Sequence, residues 1–447
     1  MRELSIYSNR CWYNNELVPA TLVIKEQIIS EILFHETDNA IDVGNSIVMP
    51  GAIDAHVHVN EPGRTEWEGF ESATRAAAKG GMTTIVDMPL NADPVTTTTA
   101  AFEQKLISAS NKLHVNCGFY GGLVPSNIDQ LHPLIDAGVM GIKCFLTHSG
   151  IDSFPNVLEE HLNIAMPLIA KKGSTLLVHC ELLSDDRITN PLYTNTYTSY
   201  LRSRPDHSET RAVQLMIDLC RKHSCAVHIV HVSSAESLLL IARAKDEGLA
   251  LTAETCTHYI YFDAEKIPDG RPVYKCAPPV RGAENNEKLR SALHTGVLDF
   301  LTSDHSPAPP SVKQIESGDI FKAWGGIAGL QFLLSAGWSA CRNTMSIESF
   351  IPLLTSKPAQ FLALDKRKGR LEVGYDADIT IWNPEQSFTV LAHEIEHKHK
   401  ISPYIGEKLY GVVEQTLVNG QVAYNRDTNE WDNHAGNVIF NSALQIR

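Results

Sequence analysis

Apolar residues along this chain fall into short runs whose spacing changes character twice. Over roughly the first 48 residues the runs are brief and separated by polar positions, at 4–7, 22–25, 28–33 and 47–49, with no helical period. The C-terminal part behaves alike, with runs at 379–382, 411–418 and 421–424. Asn419-Gly420 separates the last two, and Asn-Gly between alternating apolar positions predicts a hairpin. Two β-rich pieces at opposite ends predict one small sheet domain built from both termini.

Between them short apolar strands alternate with helical stretches. The pattern predicts eight strands, at 53–58, 83–88, 115–120, 141–145, 175–179, 226–232, 251–254 and 299–304. One intervening helix is predicted over 66–79, opened by Thr65-Glu66-Trp67-Glu68 as a capping box and stopped by Gly80. Another is predicted over 235–245, and the threonine run 96–99 suits a loop that starts a helix. Alternating strands and helices imply right-handed βα units and a parallel sheet, and eight strands close a barrel. The expected fold is therefore α/β: a (β/α)8 TIM-like barrel over 50–365, with a β-sandwich contributed by 1–49 and by 366–447 and its tail. An open doubly wound sheet is the alternative.

Composition narrows the function more than the fold. Of the 447 residues 43% are apolar and 20% charged, enough for a full globular core. No apolar run approaches the ~18 residues of a membrane span, and polar residues enter the N-terminus too early for a secretory signal. The net charge is −14 with no Lys/Arg block, which disfavours nucleic acid and anionic membrane as partners. Nine cysteines, an odd number without a CxxC pair, fit reduced thiols packed as small hydrophobes, and a cytoplasmic location is expected. The 19 histidines are more informative, because several end apolar strands.

His56-Val57-His58 closes the first barrel strand. Residues i and i+2 of a strand share a face, so both imidazoles are expected at the C-terminal mouth, where barrel active sites lie. His179 ends the fifth strand, His231 the sixth and Asp304 the eighth, all at the same rim. Four histidines and an aspartate from four strands point to a site for zinc, manganese, iron or cobalt. His228, three residues before His231, is expected on the opposite face, in packing or against a helix. Lys143 lies inside the apolar fourth strand, where a charged amine is costly. Either it pairs with a mouth carboxylate, or it stays neutral and takes up CO₂ as a carbamate able to bridge two cations; the histidine set favours the carbamate. Two such ions share a hydroxide, with Asp304 as general base and then acid, which is chemistry for hydrolysing an amide or ester.

His56, His58, Lys143, His179, His231 and Asp304 together resemble the cyclic amidohydrolase branch of the amidohydrolase superfamily: dihydroorotases, dihydropyrimidinases or hydantoinases, and allantoinases. The resemblance spans essentially the whole chain, including Val48-Met49-Pro50-Gly51 leading into the barrel and the 369–378 segment leading out. It implies a barrel with a composite sandwich and two divalent ions, zinc foremost. His56, His58 and Asp304 would hold one ion, His179 and His231 the other, and carboxylated Lys143 would bridge them. It also implies a homo-oligomer, commonly a tetramer.

Within that branch, His58-Val59-Asn60-Glu61-Pro62-Gly63-Arg64, Asp87-Met88-Pro89-Leu90-Asn91, the 322–331 segment and His399-Lys400-Ile401-Ser402-Pro403-Tyr404 are similar to allantoinases. Dihydroorotases carry an arginine at the place of Asn60 and an asparagine at that of Ala277. Losing that arginine removes the anchor for an anionic ring, which a small neutral cyclic amide does not need. The resemblance implies hydrolysis of the hydantoin ring of allantoin to allantoate in purine degradation, with Asn91 and the backbone at Ala277 and Gly325 as ring contacts. Asn91 reads equally as a turn residue, and Arg64 as a partner of Glu61 or Glu66. The polar segment 147–155 is expected to be a mouth loop over the substrate. The rivals are a hydantoinase acting on another cyclic amide and a non-catalytic scaffold paralogue, although scaffolds typically lose ligands and here all six positions are filled.

Overall fold

The computed structural model describes residues 3–183, 195–428, 431 and 434–441; the last residues of the predicted 366–447 segment lie outside them. Eight parallel strands form the barrel: Ala52–Val57, Met82–Asp87, Asn116–Phe119 continued by Gly121–Gly122, Ile142–Phe145, Thr175–His179, Ala226–Ile229, Leu251–Cys256 and Phe300–Thr302. Each pairs with its successor in chain order, except that the ladder breaks at Tyr120 within the third strand. The ring closes where Val57 bridges His305 and the His58 N–H donates to the His305 carbonyl at 2.8 Å. All eight predicted strands are present.

The helices between them pack one apolar face on this ring. Thr98 caps the helix Thr99–Ala109 by accepting from the Ala101 N–H at 3.2 Å, as the threonine run suggested. The predicted 66–79 helix begins later, as Phe70–Lys79, and the capping box does not form. Glu68 instead turns into the protein, accepts from the Lys398 N–H at 3.0 Å and faces His305. Glu61 takes over at the helix start, accepting from the Phe70 N–H at 2.9 Å. Long-range partners here outcompete a local motif.

Both termini build one antiparallel-dominated sheet. The C-terminal strand Ile379–Thr389 pairs with Ile47–Pro50, with Thr380 opposite Met49, and so joins Lys408–Val418 and Gln421–Asn425 to Glu3–Tyr13, Glu16–Lys25 and Ile28–Leu33. Asn419 and Gly420 have φ of 50° and 75°, the left-handed pair a two-residue hairpin requires. Ile6, Leu22, Ile24, Val48, Ile379, Ile381 and Leu417 make a core separate from that of the barrel. All nine cysteines are buried and free.

Candidate active site

The barrel's C-terminal mouth gathers His56, His58, Lys143, His179, His231 and Asp304 around one cavity of about 270 Å³, which Asn91, Ala277 and Gly325 also line. The predicted residues thus meet at a single place. The Asp304 Oδ1 lies 3.2 Å from His56 Nε2 and 3.3 Å from His58 Nε2. Ligand atoms of these three residues all fall within 4.8 Å of one another, a candidate cation site. Beside it His179 Nδ1 and His231 Nε2 are 3.0 Å apart, and the His231 ring centroid is 5.5 Å from that of His56.

His231 and Asp304 reach the site through unusual backbone. Their φ values are 40° and 42°, a left-handed conformation that costs a non-glycine residue roughly 1–3 kcal/mol. The strand ends at Ile229, so the two-residue alternation no longer governs His231. This overturns the expectation for His228. Its register with Leu177 and Thr252, and through Leu177 with Lys143, puts it on the same side as Lys143. There it stacks on Phe300 at 5.3 Å and contacts Thr252 Oγ1 at 2.7 Å and Glu254 Oε2 at 3.1 Å.

Three acids sit behind the histidines. Glu254 spans His228 and His56, with Oε1 2.5 Å from His56 Nδ1, and leaves Nε2 of His56 to face Asp304. Glu181 bonds His179 Nε2 at 2.7 Å and pairs with Arg204, leaving Nδ1 to face His231. Burial pushes both carboxyls up, but neighbouring His56 and His228, or Arg204 and His179, bring each down to about 2, so both remain carboxylates. Asp54 accepts from the His56 N–H at 3.1 Å and from the Ser303 hydroxyl, tying the first strand to the eighth. None of these was singled out from the sequence. Glu254 had a usable signal: like Lys143, it is a charged residue inside an otherwise apolar barrel strand.

Lys143 is fully buried, and its Nζ has no hydrogen-bond partner among the described residues. Burial lowers its pKa to about 8, against the opposing pull of Asp304. Among the described residues no carboxylate forms the alternative ion pair with it. Nδ1 of His58 and Nδ1 of His231 also lack partners. Imidazoles, a carboxylate and an orphaned amine, buried and convergent, fit divalent cations of borderline softness.

On the cavity wall, Asn91 is buried at φ 66° and both of its side-chain polar atoms lack partners among the described residues, so it is a turn residue that also presents its amide group. Arg64 pairs with neither Glu61 nor Glu66; it donates to the Asn91 carbonyl at 2.7 Å and lies 5.5 Å from the Trp67 ring, while Glu61 pairs with Lys112. Asn60 is buried, donates to the Pro307 carbonyl at 3.2 Å and does not line the cavity. His148, Ser149 and Gly150 of the predicted mouth loop do line it.

Comparison with known proteins agrees with this geometry. The amidohydrolase family model matches residues 47–423. The chain is 40% identical over 429 residues to the allantoinase of Streptomyces avermitilis, covering 94% of this chain and 95% of that protein. It is 40% identical over 443 residues to the allantoinase of Arabidopsis thaliana, covering 94% and 87%. Among solved structures, the L-hydantoinase (dihydropyrimidinase) of Arthrobacter aurescens superposes with a TM-score of 0.90 at 30% identity, covering 97% of this chain and 99% of that one.

Proposed function

We infer that this chain, which belongs to the amidohydrolase family, hydrolyses the hydantoin ring of allantoin to allantoate. The observation that carries the reading is the convergence of six predicted residues, with an orphaned buried Lys143, on one small cavity in a chain about 40% identical to allantoinases over nearly its whole length. Asn60, turned away from the cavity, supports a neutral ring over an anionic one.

His56, His58 and Asp304 would hold one divalent cation and His179 and His231 a second, with Lys143 as a CO₂-derived carbamate between them and zinc as the leading metal. When bound, the pair supplies Lewis acidity to the ring carbonyl and acidifies water. The chain's own residues do the rest. Glu254 and Glu181 fix which nitrogen of His56 and His179 faces the cavity. Asp304, held well below the usual carboxylate range by His56 and His58 in spite of burial, starts as the base that accepts the attacking water's proton. It then returns that proton to the ring nitrogen as the C–N bond breaks. The Asn91 side chain and the Ala277 and Gly325 N–H groups meet the polar edge of the ring. A cytoplasmic homotetramer is the form we assign to the enzyme; none of the helices among the described residues is long and apolar enough to cross a membrane.

The test is ring opening of racemic allantoin against hydantoin, dihydrouracil and dihydroorotate, after reconstitution with Zn²⁺, Mn²⁺ or Co²⁺ in bicarbonate. Preference for allantoin by orders of magnitude supports the reading. Preference for hydantoin or dihydrouracil replaces it with the hydantoinase alternative, and failure to take up metal would revive the scaffold.

A further inference from the structure

Lys275 and Lys313 are nearly fully buried, at 8% and 3% exposure, yet neither has a carboxylate within ion-pair distance among the described residues. Both amines point at main-chain carbonyls instead. Lys275 Nζ donates to Phe321 O at 2.9 Å and Ala323 O at 2.6 Å. Lys313 Nζ donates to Lys275 O at 2.7 Å, to Trp324 O at 2.9 Å and to Gly326 O. Three acceptors around one nitrogen use all three N–H groups of an ammonium, whereas a neutral amine would turn its lone pair on a carbonyl. With the two hydrogen bonds of Lys275 and the three that Lys313 makes as an ammonium, the pair staples the 321–326 segment to the strand-end loop at Lys275.

The orientation has a consequence for the cavity. In a trans peptide the N–H points opposite to the C=O. With Trp324 O held by Lys313, the N–H of Gly325 is turned away from the lysine, and it has no acceptor among the described residues. Gly325 lines the cavity beside Ala277: a methyl group on it would stand 3.6 Å from the Ala277 side chain, in ordinary van der Waals contact. The Ala277 N–H is similarly without an acceptor, while the preceding carbonyl, Cys276 O, accepts from Tyr200 Oη at 2.7 Å. An ammonium on the far side of the Trp324–Gly325 peptide also polarises it, making its N–H a better donor.

We propose that Lys275 and Lys313 are positioning residues that hold the 321–326 segment so that the Gly325 N–H, beside that of Ala277, meets a ring oxygen of the substrate, and that the pair thereby sets KM. This rests on the cyclic-amide reading of the site but on no bound metal. The groups facing the pair are Arg204, Asp319 and the Tyr200 ring on Lys275, Cys276 and His258 on Lys313, and each lysine on the other, with His399 across a small void. Burial foremost, aided by Arg204 at Lys275 and by the neighbouring lysine at Lys313, brings both to about 7, so the staple weakens as pH rises through neutrality.

The experiment is steady-state kinetics of the holoenzyme and of Lys275→Met and Lys313→Met. The expected result is a KM for allantoin raised about tenfold, the worth of one ring-oxygen hydrogen bond, with kcat within about threefold and metal content unchanged. A KM within about twofold of the parent overturns the proposal, as does a loss confined to kcat or to metal content. Because either variant can fail to fold, amide hydrogen exchange of the parent protein gives a second measure. Intrinsic-rate-corrected protection of 321–327 should fall about tenfold between about pH 6 and about pH 9 while that of 175–179 holds, and equal behaviour of the two segments overturns the proposal. If the parent enzyme opens another cyclic amide and not allantoin, the substrate reading fails by itself, and the same kinetics on that ring decide the role of the lysines.

Discussion

Replacing Glu254 by glutamine should weaken metal binding without removing any group that would touch the metal. Glu254 is fully buried between two imidazoles, 2.5 Å from His56 Nδ1 and 3.1 Å from His228 Nε2. Glutamine keeps the size and can accept from one ring and donate to the other, so the change removes charge and little else. A hydrogen bond to a charged group contributes about 1.5–3 kcal/mol and a neutral one about 0.5–1.5. The difference, about 1–1.5 kcal/mol, corresponds to roughly tenfold in affinity, the lower end of what partners behind metal-binding histidines usually contribute. The assay is competition of the metal-free protein with a chromophoric chelator for Zn²⁺, beside ¹⁵N spectra of the apoprotein that read the tautomer of His56. In the parent, Nδ1 should carry the proton; in Glu254→Gln that preference should relax. Glu254→Leu strips both rings of their partner and should lose considerably more. Affinity within twofold of the parent in Glu254→Gln, with the His56 tautomer unchanged, would refute the idea that Glu254 orients this ring.

Lys143→Ala should abolish loading of two metals, with partial rescue by a short carboxylic acid; undiminished metal content and turnover would sink the bridging role. With its pKa near 8, about half of Lys143 is neutral amine at pH 8, against under about 1% of an ordinary lysine. Uptake of ¹³C-labelled bicarbonate by the apoprotein should therefore climb with pH through about 8, and a flat profile speaks against a carbamate. Asp304→Asn should keep part of its metal yet lose about 10²–10⁴-fold in kcat, since the proton carrier is gone; near-native turnover contradicts it. Lys105 pairs with Asp87 at 2.5 Å with both side chains buried, and Asp87 also accepts from the Val59 N–H at 2.8 Å just past His58. Lys105→Met should cost about 3–5 kcal/mol in denaturant unfolding by stranding that carboxylate, and a loss below about 1 kcal/mol would show the pair to be screened.

The fold was legible because its signals are local. Eight apolar strands alternating with helices, and β-rich ends with an Asn-Gly turn, need only side-chain periodicity and turn chemistry to be recognised, and both the barrel and the joint terminal sheet are present. The six candidate ligands were legible for the same reason: each ends, lies within or follows by one or two residues a strand, so its rim position follows from its place in the apolar run. What failed, failed where long-range partners decide. The capping box at Thr65 lost to Lys398 and Glu61, which lie far from it along the chain or on the other side of the helix start. His228 is the exception, with a local cause: the strand ends at Ile229 and a left-handed His231 breaks the alternation, which leaves His228 on the side of Lys143. Glu254 behind His56, Arg204 on the Glu181 behind His179, Arg64 on the Asn91 carbonyl and the lysines gripping the 321–326 carbonyls are contacts between separate segments, with no periodic trace in the chain. The sequence by itself determined which strands form and which side chains stand at the barrel's mouth, since propensity and alternation act between near neighbours. Only the tertiary structure decided how those side chains are aimed, because aim depends on buried partners that meet when the ring closes.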